Sequence, residues 1–174
     1  MSGWMQTYTG RPFYPLEPAW EDVEIESIAH SLSMLCRYNG HCLRFYSVAE
    51  HCVHLSYTVD PEHARWALLH DAVETYVGDM VRPVKNDMPE FRRIEDNLEV
   101  VIAGKFGLGW PMPAQVKEHD TRIVVDEREQ NMAPSSLPWL LLDGYSPLGV
   151  TLQYWSPDRA EVEYLSRYRQ LFNP

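Results

Sequence analysis

The stretch ARWALLHDAVETYVGDMVRPVK, residues 64–85, starts as an apolar helix and then sets His70, Asp71 and Glu74 where the buried face should continue. Ionisable side chains do not enter an apolar interior without a partner or a metal, because the charge loses its water. Glu74 lies four residues after His70 and three after Asp71, so the helical repeat turns all three to one side. Asp79 follows just beyond Gly78. A second imidazole, His51, sits on the preceding helical segment, and Asp120 on a later one, flanked by Val116 and Ile123. Two imidazoles and two carboxylates brought together by helix packing would suit a divalent cation such as Mn, Co, Fe, Zn or Ni. Taken singly, each residue has a plainer account. A helical His is often a hydrogen-bonded structural residue, Asp120 could be a solvent-facing acid, and a second His-Asp pair occurs at His119-Asp120. The order His, His-Asp, distant Asp is what favours a site.

Helices must position these groups. In IESIAHSLSMLCRY, Ile25, Ile28, Leu32 and Leu35 form one apolar stripe, with Asn39-Gly40 as the stop signal. Ser47 is the expected N-cap of VAEHCVHLSYTV, and Glu50 would complete a capping box. Asp60-Pro61 begins the next helix, with Ala64, Ala67 and Leu68 facing inward, and Gly78 ends it. PEFRRIEDNLEVVIAGKFG and PAQVKEHDTRIVVDEREQNM read as two longer helices, and PDRAEVEYLSRYRQLF as the last. The opening MQTYTGRPFYPLEP reads as a β-hairpin or extended arm, and residues 133–155 as a loop. The expectation is one all-α domain over 1–174: an arm at 1–24, a helical core carrying the site at 25–132, and a loop with a C-terminal helix at 133–174.

Composition narrows the functions. The 174 residues carry a formal net charge of −10, with the basic residues scattered. Such a surface repels a phosphate polymer, so DNA or RNA is a poor partner, while one metal and one or two cations can still hold a small phosphate ester. No apolar run reaches the ~20 residues that span a bilayer, and the N-terminus lacks a secretory pattern, so a cytoplasmic protein without a membrane partner is expected. Three cysteines, Cys36, Cys42 and Cys52, include no CxxC pair, which favours structural thiols over a zinc cluster.

The stretches RYNGH, FYSVAEHCV, LLHDAVETYVGDMVRPVK and VKEHDTRIVVDERE together resemble the HD-domain phosphohydrolases, in particular the compact nucleotidase-like group common in phages and prophages. The opening TYTGRPFYPLEP is similar to the N-terminus of that group. The resemblance implies an HD-domain helical bundle in which His51, His70, Asp71 and Asp120 hold one divalent ion (Co, Mn, Zn, Fe, Ni or Mg). It implies further that Glu74 is essential for catalysis, that Asp79 contacts the deoxyribose, and that Arg37 and Tyr38 contact the phosphate. Tyr38 stands where the related enzymes carry Trp. The segment between His51 and His70 is shorter than in the monophosphatases, which brings the chain closer to phage enzymes that release triphosphate from dATP.

The leading expectation is a metal-dependent 5′-deoxynucleotidase acting on deoxynucleoside monophosphates in the cytoplasm of a bacterium or a phage-infected host. The alternatives are a dNTP triphosphohydrolase and a catalytically idle metal- or nucleotide-binding module; the latter would have no need of Glu74. Aromatic residues in the arm and in the 133–155 loop are candidates to cover a partner subunit in a homo-oligomer.

Overall fold

In the computed structural model, which describes residues 3–173, the N-terminal arm folds into a hairpin. Strand β1 (Met5–Gln6) pairs antiparallel with β2 (Pro12–Phe13), Met5 opposite Phe13. The hairpin is fastened to the helices by Phe13, which is buried and stacks on Tyr76 at 3.8 Å between ring centroids. The remaining regular structure is helical: α1 (Ile25–Met34), α2 (Val48–Leu55), α3 (Ala64–Leu69), α4 (Glu74–Val77), α5 (Arg82–Asn86), α6 (Pro89–Lys105), α7 (Ala114–Asn131) and α8 (Pro157–Phe172).

Helix α2 is the centre of the bundle and packs against α1, α3, α7 and α8. Its Val48, Ala49, Cys52 and Val53 join Ile28, Leu32, Leu68, Leu69, Leu98 and Ile102 in the main core. Each fully buried side chain of this size contributes about 1.5–3 kcal/mol of transfer free energy. Small residues at Ala29, Ala49 and Ala160 let the axes approach closely, and the Tyr164 hydroxyl, fully buried, donates to Leu68 O at 2.8 Å. A second core joins Leu55, Trp66, Val116 and Ile123, tying α7 to the α2–α3 pair.

Three local departures from the sequence reading shape the site. Helix α1 stops at Met34, short of Asn39-Gly40. Leu35 O instead accepts from Val48 N at 3.0 Å, and Arg37 N donates to Tyr46 O at 3.0 Å, so the chain leaves the helix to pair with the segment entering α2. Tyr38 and Asn39 then turn through the left-handed region, φ 57° and 50°, the former a strained conformation for a bulky residue. Second, the helix expected from Pro61 to Val77 opens with a 3-10 turn at Pro61–His63 and is drawn tight in its middle. Ala72 N bonds Leu69 O and Glu74 N bonds Asp71 O, three residues apart, so α3 and α4 are joined by a tightened turn that carries His70 and Asp71. Gly78, at φ 75°, ends α4 and redirects the chain at Asp79. Helix α5, not foreseen, follows.

The third departure concerns Glu50. Ser47 does cap α2, accepting from Glu50 N at 3.1 Å. The Glu50 carboxylate, however, does not return to the helix start. It is buried and accepts from Gln153 N at 2.7 Å, Tyr154 N at 2.9 Å and Trp155 N at 2.6 Å. Three charge-assisted bonds outweigh the single one that a capping box would offer. Asp126 on α7 does the same for Leu148, Gly149 and Val150, at 2.7, 2.9 and 3.0 Å. Two buried carboxylates thus pin the segment that leads into α8. Replacing Glu50 with Ala should leave that trio of amides unmatched and destabilise the fold by about 3 kcal/mol. Glu50→Gln, which keeps an acceptor, should lose less. Chemical denaturation of the two variants checks the order; equal losses would mean that a neutral acceptor contributes nothing there and that the stabilisation lies in the charge.

Candidate metal centre

His51 projects from the middle of α2, buried, and its two ring nitrogens have different partners. Nδ1 donates to Glu127 Oε1 at 2.6 Å, which leaves the Nε2 lone pair free to face the bundle interior. His70 is fixed the same way, with Nδ1 donating to Ala67 O at 2.8 Å. The two Nε2 atoms lie 3.2 Å apart, too close for unshared lone pairs unless a proton or a cation lies between them. Asp120 Oδ1, from α7, comes within 3.2 Å of His51 Nε2 and 3.6 Å of His70 Nε2. Asp71 Oδ2 lies 3.2 Å from His70 Nε2 and 3.8 Å from His51 Nε2.

These separations match donors sharing one ion. Ligands ~2.1 Å from a metal sit roughly 3–3.5 Å from one another. The ligating atoms of His51, His70 and Asp120 all fall within 4.8 Å of one another. Electrostatics agree. Burial works against charge on His70, yet Asp71 and Asp120 hold its pKa well above the usual imidazole value. Burial likewise opposes ionisation of Asp120, and the two imidazoles overcome it, keeping the carboxyl well below the usual range. The position demands positive charge, and two imidazoles with two carboxylates fit a borderline divalent ion.

Glu127 was not singled out by sequence. It follows Asp120 by seven residues on α7, two turns along the same face, and the signal was there: an acid four residues after Ile123, on the apolar side of the helix. Fully buried, it binds three groups at once. Besides His51, its Oε2 accepts from Arg37 Nε at 3.2 Å and from the Tyr38 hydroxyl. Burial alone would raise its pKa, but Arg37 and then His51 bring it below the ordinary carboxylate value. Arg37 also reaches Asp71, Nη1 to Oδ2 at 3.5 Å. Arg37 and Tyr38 therefore lie beside the centre, with protein carboxylates as their immediate partners. The left-handed turn places them there.

Glu74, the first residue of α4, brings Oε2 into a buried position with no hydrogen-bond partner. Burial, then Asp71 and Asp79, push its pKa well above the carboxylate range, which favours the protonated acid. Asp79 is partly exposed in the cleft beside it and is raised too, by burial first. His119, of the second His-Asp pair, points away and meets Thr58 Oγ1 at 3.1 Å. Among the cysteines, Cys52 is buried with its thiol pushed up to about 11 by burial, and Cys36 and Cys42 are half-buried with sulfurs 3.5 Å apart. Cys52 Sγ approaches His70 at Nδ1, 3.8 Å away, the nitrogen already engaged by Ala67.

Two clefts open from the centre and share Asp71, Glu74, Arg82, Lys85 and Asp120. The larger, about 700 Å³, is walled by charged residues of α5, α6 and α7, among them Arg92, Glu95 and Lys117. The other, about 520 Å³, holds Arg37, Tyr38 and Asp79 and has an apolar wall.

An all-α bundle that gathers His51, the pair His70-Asp71 and a distant Asp120 from three helical regions around one point has the HD-domain arrangement. The family described as 5′-deoxynucleotidase YfbR-like matches residues 26–136, and the chain belongs to that family of HD-domain proteins. It is 38% identical over 140 residues to the uncharacterised protein YfdR of Escherichia coli (strain K12), covering 80% of this chain and 79% of that protein. An uncharacterised protein of Rhodobacter capsulatus is also 38% identical, over 124 residues, 66% of this chain and 63% of the relative. No helix among the described residues is long and apolar enough to cross a membrane.

Asp71→Ala should strip metal from the purified protein while helical circular dichroism persists. Glu127→Gln, which keeps the side-chain shape but removes the charge behind His51, should weaken Mn or Co affinity by about 10- to 100-fold. Competition titration against a chelating dye reads both. Unchanged affinity in both variants would remove the metal centre from this position.

Proposed function

We propose that the protein is a metal-dependent phosphohydrolase that releases phosphate from deoxynucleoside 5′-monophosphates. The observation that carries the reading is the juxtaposition of a two-His, two-Asp cluster with the buried, unpartnered Glu74 carboxyl oxygen in the lining of a cleft. A cluster that only stored a metal would not need a buried acid beside it. The family description supports the same substrate class.

His51, His70, Asp71 and Asp120 would hold the ion, which supplies a water of lowered pKa and positive charge beside the phosphoryl oxygens. Arg37 engages Glu127 through Nε and Asp71 through Nη1, so its Nη2 is the donor offered to a phosphate oxygen. Tyr38, committed to Glu127, orients Arg37 rather than binding phosphate itself. Hydrolysis breaks the bond between phosphorus and the sugar 5′ oxygen, and that oxygen leaves as an alkoxide in need of a proton. Glu74 would supply it as a general acid, a role that its raised pKa favours. Asp79, lining the same cleft, accepts from the sugar 3′-hydroxyl in this reading, and close approach there leaves little room for a 2′-hydroxyl.

A second reading, a dNTP triphosphohydrolase, is favoured by one feature. The larger cleft continues past the centre with Arg82, Lys85, Arg92 and Lys117 among its lining, cations that a phosphate tail could meet. Its carboxylates Glu95, Asp96 and Glu99 weigh against it. Deoxy- and ribonucleoside mono- and triphosphates, tested with Mn, Co, Mg and Zn while phosphate and triphosphate are followed, separate the two readings. Glu74→Gln should keep its metal and its nucleotide affinity while kcat falls about 10²–10⁴-fold, the scale of losing a general acid. Near-normal turnover in that variant would mean that another group delivers the proton.

A further inference from the structure

The smaller cleft has more apolar surface than phosphate and sugar need. Beyond Arg37 and Asp79 it is walled by Val81 and Pro83, from the segment at the start of α5, and by Val124, Trp139 and Leu141. Val81 and Leu141 stay largely exposed. Trp139 is held in place: it packs on the small core of Val124, Val125 and Leu142, and its ring meets the edge of Tyr38 at 6.0 Å and 62°. Tyr38 in turn is bonded to Glu127, the carboxylate behind His51. A rigid indole is thus tied, through two side chains, to a ligand of the metal centre. The volume, about 520 Å³, lies in the usual range for a small-molecule site.

We infer that this cleft binds the heteroaromatic base of the substrate, with the base packed on Trp139 and Leu141 and with Trp139 as the residue that sets nucleotide recognition. The inference rests on the reading of the protein as a nucleotidase and names what that reading leaves open, namely where the base lies. The direction follows from the lining. The phosphate must reach the ion that Asp71 and Asp120 would hold, Asp79 in the same cleft is taken by the sugar, and the lining that neither uses includes Val81, Pro83, Val124, Trp139 and Leu141. The other cleft, lined largely by charged residues, has no Phe, Tyr or Trp side chain in its lining for a base to stack on. An indole stacks on any base, because every base has a π-face, so this contact supplies affinity with little preference among bases.

The test compares a nucleotide with its base-less counterpart. For Trp139→Ala, kcat/KM on deoxynucleoside monophosphates should fall about 10- to 100-fold, the scale of losing one stacking partner, mostly through KM. On 2-deoxyribose 5-phosphate the variant should match the wild type, and Trp139→Phe should recover most of the nucleotide activity. Equal losses on both substrates, or no loss on either, would overturn the assignment. Failure of the nucleotidase reading looks different: the wild-type protein would hydrolyse neither compound with any of the metals. Calorimetric titration with deoxyadenosine and thymidine then decides. Binding that Trp139→Ala abolishes would uphold the base site, and binding indifferent to Trp139, or absent, would refute it.

Discussion

Four lone-pair donors converging inside a protein is an arrangement that water-excluded packing forbids unless positive charge joins them. The two imidazole nitrogens, 3.2 Å apart, and the carboxylates of Asp71 and Asp120 satisfy one another only through a shared proton or a cation. The rest of the molecule follows from that demand. Helices α2 and α7 and the α3–α4 turn must meet at one point, and the two apolar cores on either side fix their approach. The tightened turn at residues 70–73 also has a cause: it sets His70, Asp71 and Glu74 on successive sides of one cavity without burying the backbone unpaired.

In a chain of net charge −10, the basic group beside the centre is itself buried among acids. Arg37, between Glu127 and Asp71, is held so firmly that its charge persists through burial. Its guanidinium is a rigid fork, and each acid fixes one side of it. The same carboxylate that steadies Arg37 steadies His51, so the buried cation and the imidazole share one anchor.

What sequence could reveal was set by periodicity. His51, His70, Asp71 and Asp120 stood out because ionisable residues interrupted apolar stripes, and the long helices α6, α7 and α8 were legible within a residue or two for the same reason. Glu127 was hidden in DERE, which reads as a solvated charge run, although only one of its acids faces solvent freely. The end of α1 was misplaced because a pairing with residues 46–48 competes with the helix, and such partners are distant in sequence. Glu50 shows the limit most plainly. Its spacing from Ser47 fits a local cap, while its real partners lie a hundred residues on. Trp139, in a Pro- and Ser-rich loop without periodicity, stood only among the loop aromatics read as cover for a partner subunit, with nothing to tie it to the cleft.

Glu50 and Asp126 also decide how freely the segment at 148–155 can vary. Within that segment both acids grip backbone N–H groups, not side chains. At Leu148, Gln153 and Trp155, many side chains can replace one another without disturbing that grip, whereas proline, which has no N–H, is barred from every gripped position. The acids themselves have no such latitude, since each neighbours in sequence a residue that serves the metal centre: Glu50 precedes His51, and Asp126 precedes Glu127. Divergence within such a chain would therefore run unevenly, with a tail that drifts in letter while its path stays fixed, beside dipeptides that cannot move.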